Sequence, residues 1–170
     1  MEAEKKRGIS GSTLKMIAMT AMLIDHIGAG VVGRMIMSSG FASAFPWSGE
    51  YSSLVNIYWI MRVVGRLAFP IFCFLLVEGF LHTANVKKYV ARLCLFCLVS
   101  EIPFDLLFNG AFLEFGYQNV FFTLLIGLLC MCVCRYIERQ AEWRPLVRAL
   151  CGIAALLAGI AAAEFMRTDY

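Results

Sequence analysis

Long apolar stretches separated by short polar links run through this chain, and they predict an all-α fold. Five stretches are long enough to cross a bilayer: about Leu14–Gly33, Asn56–Leu81, Tyr89–Phe108, Tyr117–Cys134 and Leu146–Phe165. A hydrocarbon core about 30 Å thick needs roughly 20 apolar residues in a helix. The expected class is therefore a polytopic integral membrane protein with about five transmembrane helices.

The basic residues orient these spans. Lys5, Lys6, Arg7 and Lys15 precede the first. Lys87, Lys88 and Arg92 stand at the link between the second and third, and Arg135, Arg139, Arg144 and Arg148 at the link between the fourth and fifth. The links from Met35 to Val55 and from Asn109 to Gly116 carry no Lys or Arg. Cytoplasmic loops hold the excess of basic residues, so the N-terminus is expected in the cytoplasm. Arg34 and Arg167 oppose the trend but are outnumbered. Trp47, Tyr51, Tyr58 and Trp59 suit an aromatic belt on the outer side.

Composition agrees with this class. The chain is 61% hydrophobic, with a mean hydropathy of +0.75, against roughly 45–50% apolar residues in a soluble domain. No internal repeat and no domain linker is visible. The net charge of +3 follows from topology, and the lack of a long basic run leaves nucleic acid binding without support. The short basic N-terminus before an apolar run resembles a signal peptide. Asp25-His26 interrupts that run, and the run exceeds a typical signal core, so a retained helix is the reading. The seven cysteines sit in apolar surroundings. Cys94-x-x-Cys97 lies within RLCLFCLVS, and Cys130-x-Cys132-x-Cys134 lacks the loop and histidine context of a zinc site. They read as small buried hydrophobes, and no metal is implied.

The chemistry concentrates where polar residues interrupt the apolar stretches. Asp25 and His26 lie near the middle of the first, where an ionisable residue costs about 2.5 kcal/mol or more by insertion scales. The orientation places Arg62, Arg66, Glu101, Asp105, Gln118, Asn119 and Thr123 in the outer halves of their spans. Glu164 and Asp169 fall at the outer end of the fifth. This common depth predicts a polar pocket running from the midplane to the outer face. Arg62 and Arg66 share a helix face, as do Glu101 and Asp105, and Asn119 and Thr123. Asp25 lies among Ala18, Ala21, Gly28 and Ala29, small residues that permit close helix approach, so it is expected to point inward. Pro70 is a candidate kink in the second span. The bland alternatives are structural ion pairs for Arg62 and Asp105, interhelical hydrogen bonds for Asn119 and Thr123, and snorkelling for Glu78 and Glu164. His26 resists such a reading, because imidazole titrates near neutral pH.

The segments LKMIAMTAMLIDHIGAG, RVVGRLAFPIFCFLLVEGF, SEIPFDLLF, QNVFFTLLIGL and RTDY, in this order, resemble the TraX family of conjugal-transfer membrane proteins, which includes a pilin acetylase. The resemblance covers Leu14 to Tyr170. It implies a single transmembrane domain over residues 1–170, which in relatives continues with further hydrophobic helices beyond the Asp-Tyr element. It also implies an enzyme of the bacterial inner membrane that moves an acetyl group from acetyl-CoA to a pilin-like N-terminus or an envelope acceptor. Membrane acyltransferases that use an embedded histidine point the same way.

The roles expected on this basis are as follows. His26 acts as general base, with Asp25, Glu101 or Asp105 orienting it or balancing its charge. Arg66, with Asn119 as the weaker alternative, stabilises an oxyanion. Arg62, Glu78, Asp105, Gln118, Asn119, Thr123 and Asp169 meet substrate, and Lys87, Lys88 and Arg92 meet the phosphates of the donor. The rival readings are a small proton-coupled transporter, weakened by the lack of an inverted repeat, and a non-catalytic membrane assembly factor.

Overall fold

The computed structural model describes residues 9–38, 49–108, 110 and 118–167. The chain divides into two packing units, Met1–Leu75 and Leu76–Tyr170. Among the described residues the regular structure is helical.

In the first unit, helix α1 (Gly11–Ile27), a π-helical turn (Gly28–Val32) and α2 (Gly33–Met37) form one rod from Gly11 to Met37. Ser10 caps its start, accepting a hydrogen bond from the Thr13 amide at 3.1 Å. Capping satisfies one of the donors that every helix start leaves open. Helix α3 (Gly49–Gly65) packs along this rod. The contact runs over small residues: Ala18, Ala21 and Gly28 are buried. A Cβ on Gly28 would come within 2.9 Å of the Met61 Cβ, and one on Gly33 within 3.3 Å of the Tyr58 ring. The glycines thus allow the close approach that the small-residue face predicted.

The second expected span is not one helix. It breaks at Arg66–Leu67, between α3 and α4 (Ala68–His82). Pro70 explains the position. Proline has no N–H to give to the residue four before it, and its ring crowds that residue's carbonyl. Here that residue is Arg66. The α3 helix instead closes with the Arg66 amide on the Arg62 carbonyl at 3.1 Å and the Leu67 amide on the Val64 carbonyl at 3.2 Å.

In the second unit, α5 (Val86–Phe108) packs on α6 (Val120–Glu138), and α6 packs on α7 (Pro145–Phe165). The Asn85 side chain caps α5 by accepting from the Lys88 amide at 3.0 Å. The Arg135 guanidinium lies 3.7 Å over the Phe80 ring and donates to the Phe80 carbonyl at 3.3 Å. The Cys130 thiol donates to the Ala155 carbonyl at 3.7 Å. A side chain at Gly159 would strike that thiol, so glycine is what lets α7 lie close on α6.

Four stretches of the described residues are long and apolar enough to cross a membrane: Gly11–Met37, Ser52–His82, Val120–Glu138 and Pro145–Phe165. The third expected span, Tyr89–Phe108, is not among these four and lies within α5. At 23 residues and about 1.5 Å per residue it has the length, but Arg92, Glu101 and Asp105 reduce its apolarity. The fourth begins at Val120 rather than Tyr117 and runs on to Glu138. Leu23, Ile60, Leu95 and Leu157 are each at least 60% exposed. Such a surface suits lipid, and the chain is an all-α, multi-pass membrane protein. All seven cysteines are free thiols, with Cys97 fully buried.

Candidate functional site

The first cluster forms where α1 meets the end of α3. Arg62 donates through Nη1 to Asp25 Oδ2 at 2.5 Å. The Asp25 side chain presses against the backbone of Gly65, where any Cβ would collide with it. His26 brings Nδ1 to 4.0 Å from the same Asp25 oxygen. The side chains of His26 and Arg62 are 30% and 34% exposed, and that of Asp25 only 19%. The carboxylate is thus the withdrawn member, and the imidazole is part-exposed with its Nδ1 buried. The pairing offsets the cost of holding a carboxylate away from water. The π-helical turn starts two residues after His26. Such turns widen the helix locally and often sit at functional sites.

This arrangement has a definite chemical capacity. Arg62 balances the charge of Asp25. A histidine so placed can take a proton from an incoming nucleophile and return it to a leaving group. Arg66, expected to share the Arg62 face, lies just past the end of α3 and is exposed. Its side chain makes no hydrogen bond or ion pair among the described residues. Arg62, expected to meet substrate, carries the carboxylate contact instead.

The second cluster joins α5 to the start of α6. Cys97, Glu101, Phe104 and Asp105 form the buried face of α5. Asn119 stands before α6 and is 3% exposed. Its side-chain oxygen accepts from the Phe121 amide at 2.9 Å, which caps the helix. Its side-chain nitrogen donates to Glu101 Oε2 and, at 3.2 Å, to the Cys97 carbonyl. Its backbone amide reaches the same Glu101 oxygen at 3.4 Å. Glu101 Oε1 is buried without a hydrogen-bond partner among the described residues. No cation lies within ion-pair distance of Glu101 among them. Gln118 is buried beside Asn119, and its backbone amide donates to the Arg167 carbonyl at 3.2 Å. Asp105 is fully buried.

Each unit brings some of the expected residues together in a cluster of its own. One holds Asp25, His26 and Arg62, and the other holds Glu101 and Asn119. Thr123 is half-buried on α6. Glu78, Lys87, Lys88 and Arg92 are exposed, and His82 Nδ1 donates to the Glu78 carbonyl at 2.9 Å. Asp169 lies outside the described residues. Two participants were not foreseen. Gly65 had a signal, a glycine beside Arg66 in an otherwise large-residue run. The Cys97 carbonyl had none, because a backbone acceptor leaves no mark in the sequence.

A family model described as TraX protein matches residues 10–170. A curated relative, the probable fimbrial assembly protein FimC, serogroup H1, of Dichelobacter nodosus, is 36% identical over 132 residues. That alignment covers 73% of this chain and 46% of the relative, so the chain spans less than half the length of the curated relative it matches. No solved structure matches.

Proposed function

This chain belongs to the TraX family, and from that premise we propose that it is a pilus-related membrane acyltransferase that uses His26 as its general base. The observation that carries the reading is the part-open imidazole 4.0 Å from a carboxylate that Arg62 has already paired. The donor is acetyl-CoA, and the acceptor is an amine or hydroxyl of a pilin-like N-terminus or an envelope component in the bacterial inner membrane. The exposed Lys87, Lys88 and Arg92 are the cations assigned to the donor's phosphates.

The proposed reaction runs in two stages. The acceptor attacks the thioester carbonyl while His26 takes its proton, giving a tetrahedral oxyanion and an imidazolium. Asp25 stabilises the imidazolium, and Arg66 is the cation free to meet the oxyanion. The intermediate then collapses. The C–S bond breaks, and the thiolate of coenzyme A takes the proton back from His26. General base catalysis of this kind contributes about 10²–10⁴-fold.

The test incubates membranes holding this chain, or His26→Gln at matched abundance, with radiolabelled acetyl-CoA and candidate acceptors. Label transfer by the wild type that falls about 10²–10⁴-fold in the variant is the expected result. Equal transfer by both would overturn the role of His26. The relative's description as a fimbrial assembly protein favours one second reading, a non-catalytic assembly factor. In that case neither protein transfers label, and His26→Gln leaves fimbrial assembly unchanged.

A further inference from the structure

At the arginine-rich end of the α6–α7 hairpin lies an open groove of about 530 Å³. Its walls are mostly apolar, including Ile137, Ile153 and Leu156, with Gly152 in the floor and Arg148 and Glu138 at the polar side. Arg139 and Arg144 stand in the connecting turn, next in sequence to the lining residues Glu138 and Pro145, and are exposed. Arg135 is engaged with Phe80. The side chains of Arg139, Arg144 and Arg148 make no ion pair among the described residues. Helix α7 also opens with no side-chain cap and no acidic residue in its first turn. By the distribution of basic residues this end faces the cytoplasm, where the leaflet carries anionic lipid.

We propose that this groove binds an anionic phospholipid of the cytoplasmic leaflet. The headgroup phosphate meets Arg144 and Arg148, and one acyl chain lies along Ile137, Ile153 and Leu156. Apolar walls suit a hydrocarbon chain, and the unpaired arginines suit a phosphate at the depth where headgroups sit. Basic pockets between membrane helices on this side are recognised by the same physics. Glu138 on the same wall disfavours a bare anion, but it can accept from a hydroxylated headgroup such as glycerol. Trp143, 41% exposed in the turn, fits the interfacial level. The inference does not rest on the acyltransferase reading.

Gly152 supplies the decisive variant. A Cβ added there meets nothing within 4 Å, so the backbone accepts a side chain and Gly152→Leu is expected to occupy the groove. The full chain is purified in detergent, supplied with phosphatidylglycerol or phosphatidylcholine, and weighed by native mass spectrometry. Coenzyme A is supplied in a parallel arm. The wild type is expected to retain phosphatidylglycerol in preference. Gly152→Leu lowers that retention with unchanged melting temperature. Arg144→Gln and Arg148→Gln each weaken it about fivefold, the value of one basic residue near an anionic surface. Equal retention of the two lipids by the wild type would overturn the proposal. So would unchanged phosphatidylglycerol retention in all three variants, or a Gly152→Leu variant that loses coenzyme A alone.

Discussion

Asp25 and Glu101 are both carboxylates set inside apolar helices, and the two units treat them differently. Asp25 meets a guanidinium at 2.5 Å, with a part-open histidine beside it. Glu101 meets amide donors from Asn119 and lies 5% exposed, with no cation among the described residues. The first arrangement balances charge with charge and leaves an ionisable neighbour accessible. The second spends its donors on joining α5 to α6 and capping a helix. Where the polar groups stand is thus less informative than what they are paired with. A charge pair beside a part-exposed imidazole is the arrangement that the proposed proton transfer needs. Amide pairs around a buried carboxyl equip it to hold helices in register.

The largest test of this contrast removes the cation. Arg62→Leu takes the guanidinium away from the half-buried Asp25, and losing a hydrogen bond to a charged group costs about 1.5–3 kcal/mol. Thermal unfolding of the purified chain in detergent is expected to report a loss of this order, with part recovered in Arg62→Lys. A loss below about 1 kcal/mol, typical of an exposed pair, would remove the distinction between the clusters.

Next in size is the close approach at Gly65. Gly65→Ala places a methyl group where Asp25 now lies. Overpacking of this kind costs about 1–3 kcal/mol. Gly127→Ala on α6 meets nothing within 4 Å and is expected to be neutral or stabilising by about 0.5–1 kcal/mol, since alanine favours a helix interior over glycine. Equal melting temperatures for the two variants would show that Asp25 does not depend on Gly65.

Smaller effects belong to the second cluster. Asn119→Ala removes the cap of α6 and two side-chain donor contacts, and loss of a cap costs about 0.5–2 kcal/mol. Amide exchange in the first turn of α6 is expected to accelerate, while that of α1 is unchanged. Glu101→Gln is the mildest. The glutamine carbonyl still accepts from Asn119, so the change in unfolding free energy is expected to stay near the net worth of one hydrogen bond, about 1 kcal/mol. A loss as large as that of Arg62→Leu would mean that the charge of Glu101 matters as much as that of Asp25.

Much of this was legible from residue order. The apolar stretches placed the helices to within a few residues. The small-residue face of Ala18, Ala21 and Gly28 foretold that Asp25 points into a helix contact. Pro70 foretold a disruption of the second span. Asn119, read as lying inside the fourth span, stands instead just before α6 as its cap. Depth along each span, by contrast, did not name the partner of any one polar group. Depth is one coordinate, and a contact needs three. The shared face of Arg62 and Arg66 assumed an unbroken helix; α3 ends at Gly65, and the Arg66 amide still closes on the Arg62 carbonyl.

The sequence by itself determined the class of molecule, because the cost of exposing long apolar stretches to water outweighs every local preference. It also determined which ionisable groups would be forced to find partners there. The tertiary structure alone decided who those partners are. Arg62 rather than Arg66 meets Asp25, Gly65 yields the space, and Asn119 rather than a cation meets Glu101. Those choices turn on ångström-scale approach between helices distant in sequence, where one missing Cβ or one missing proline N–H sets the geometry.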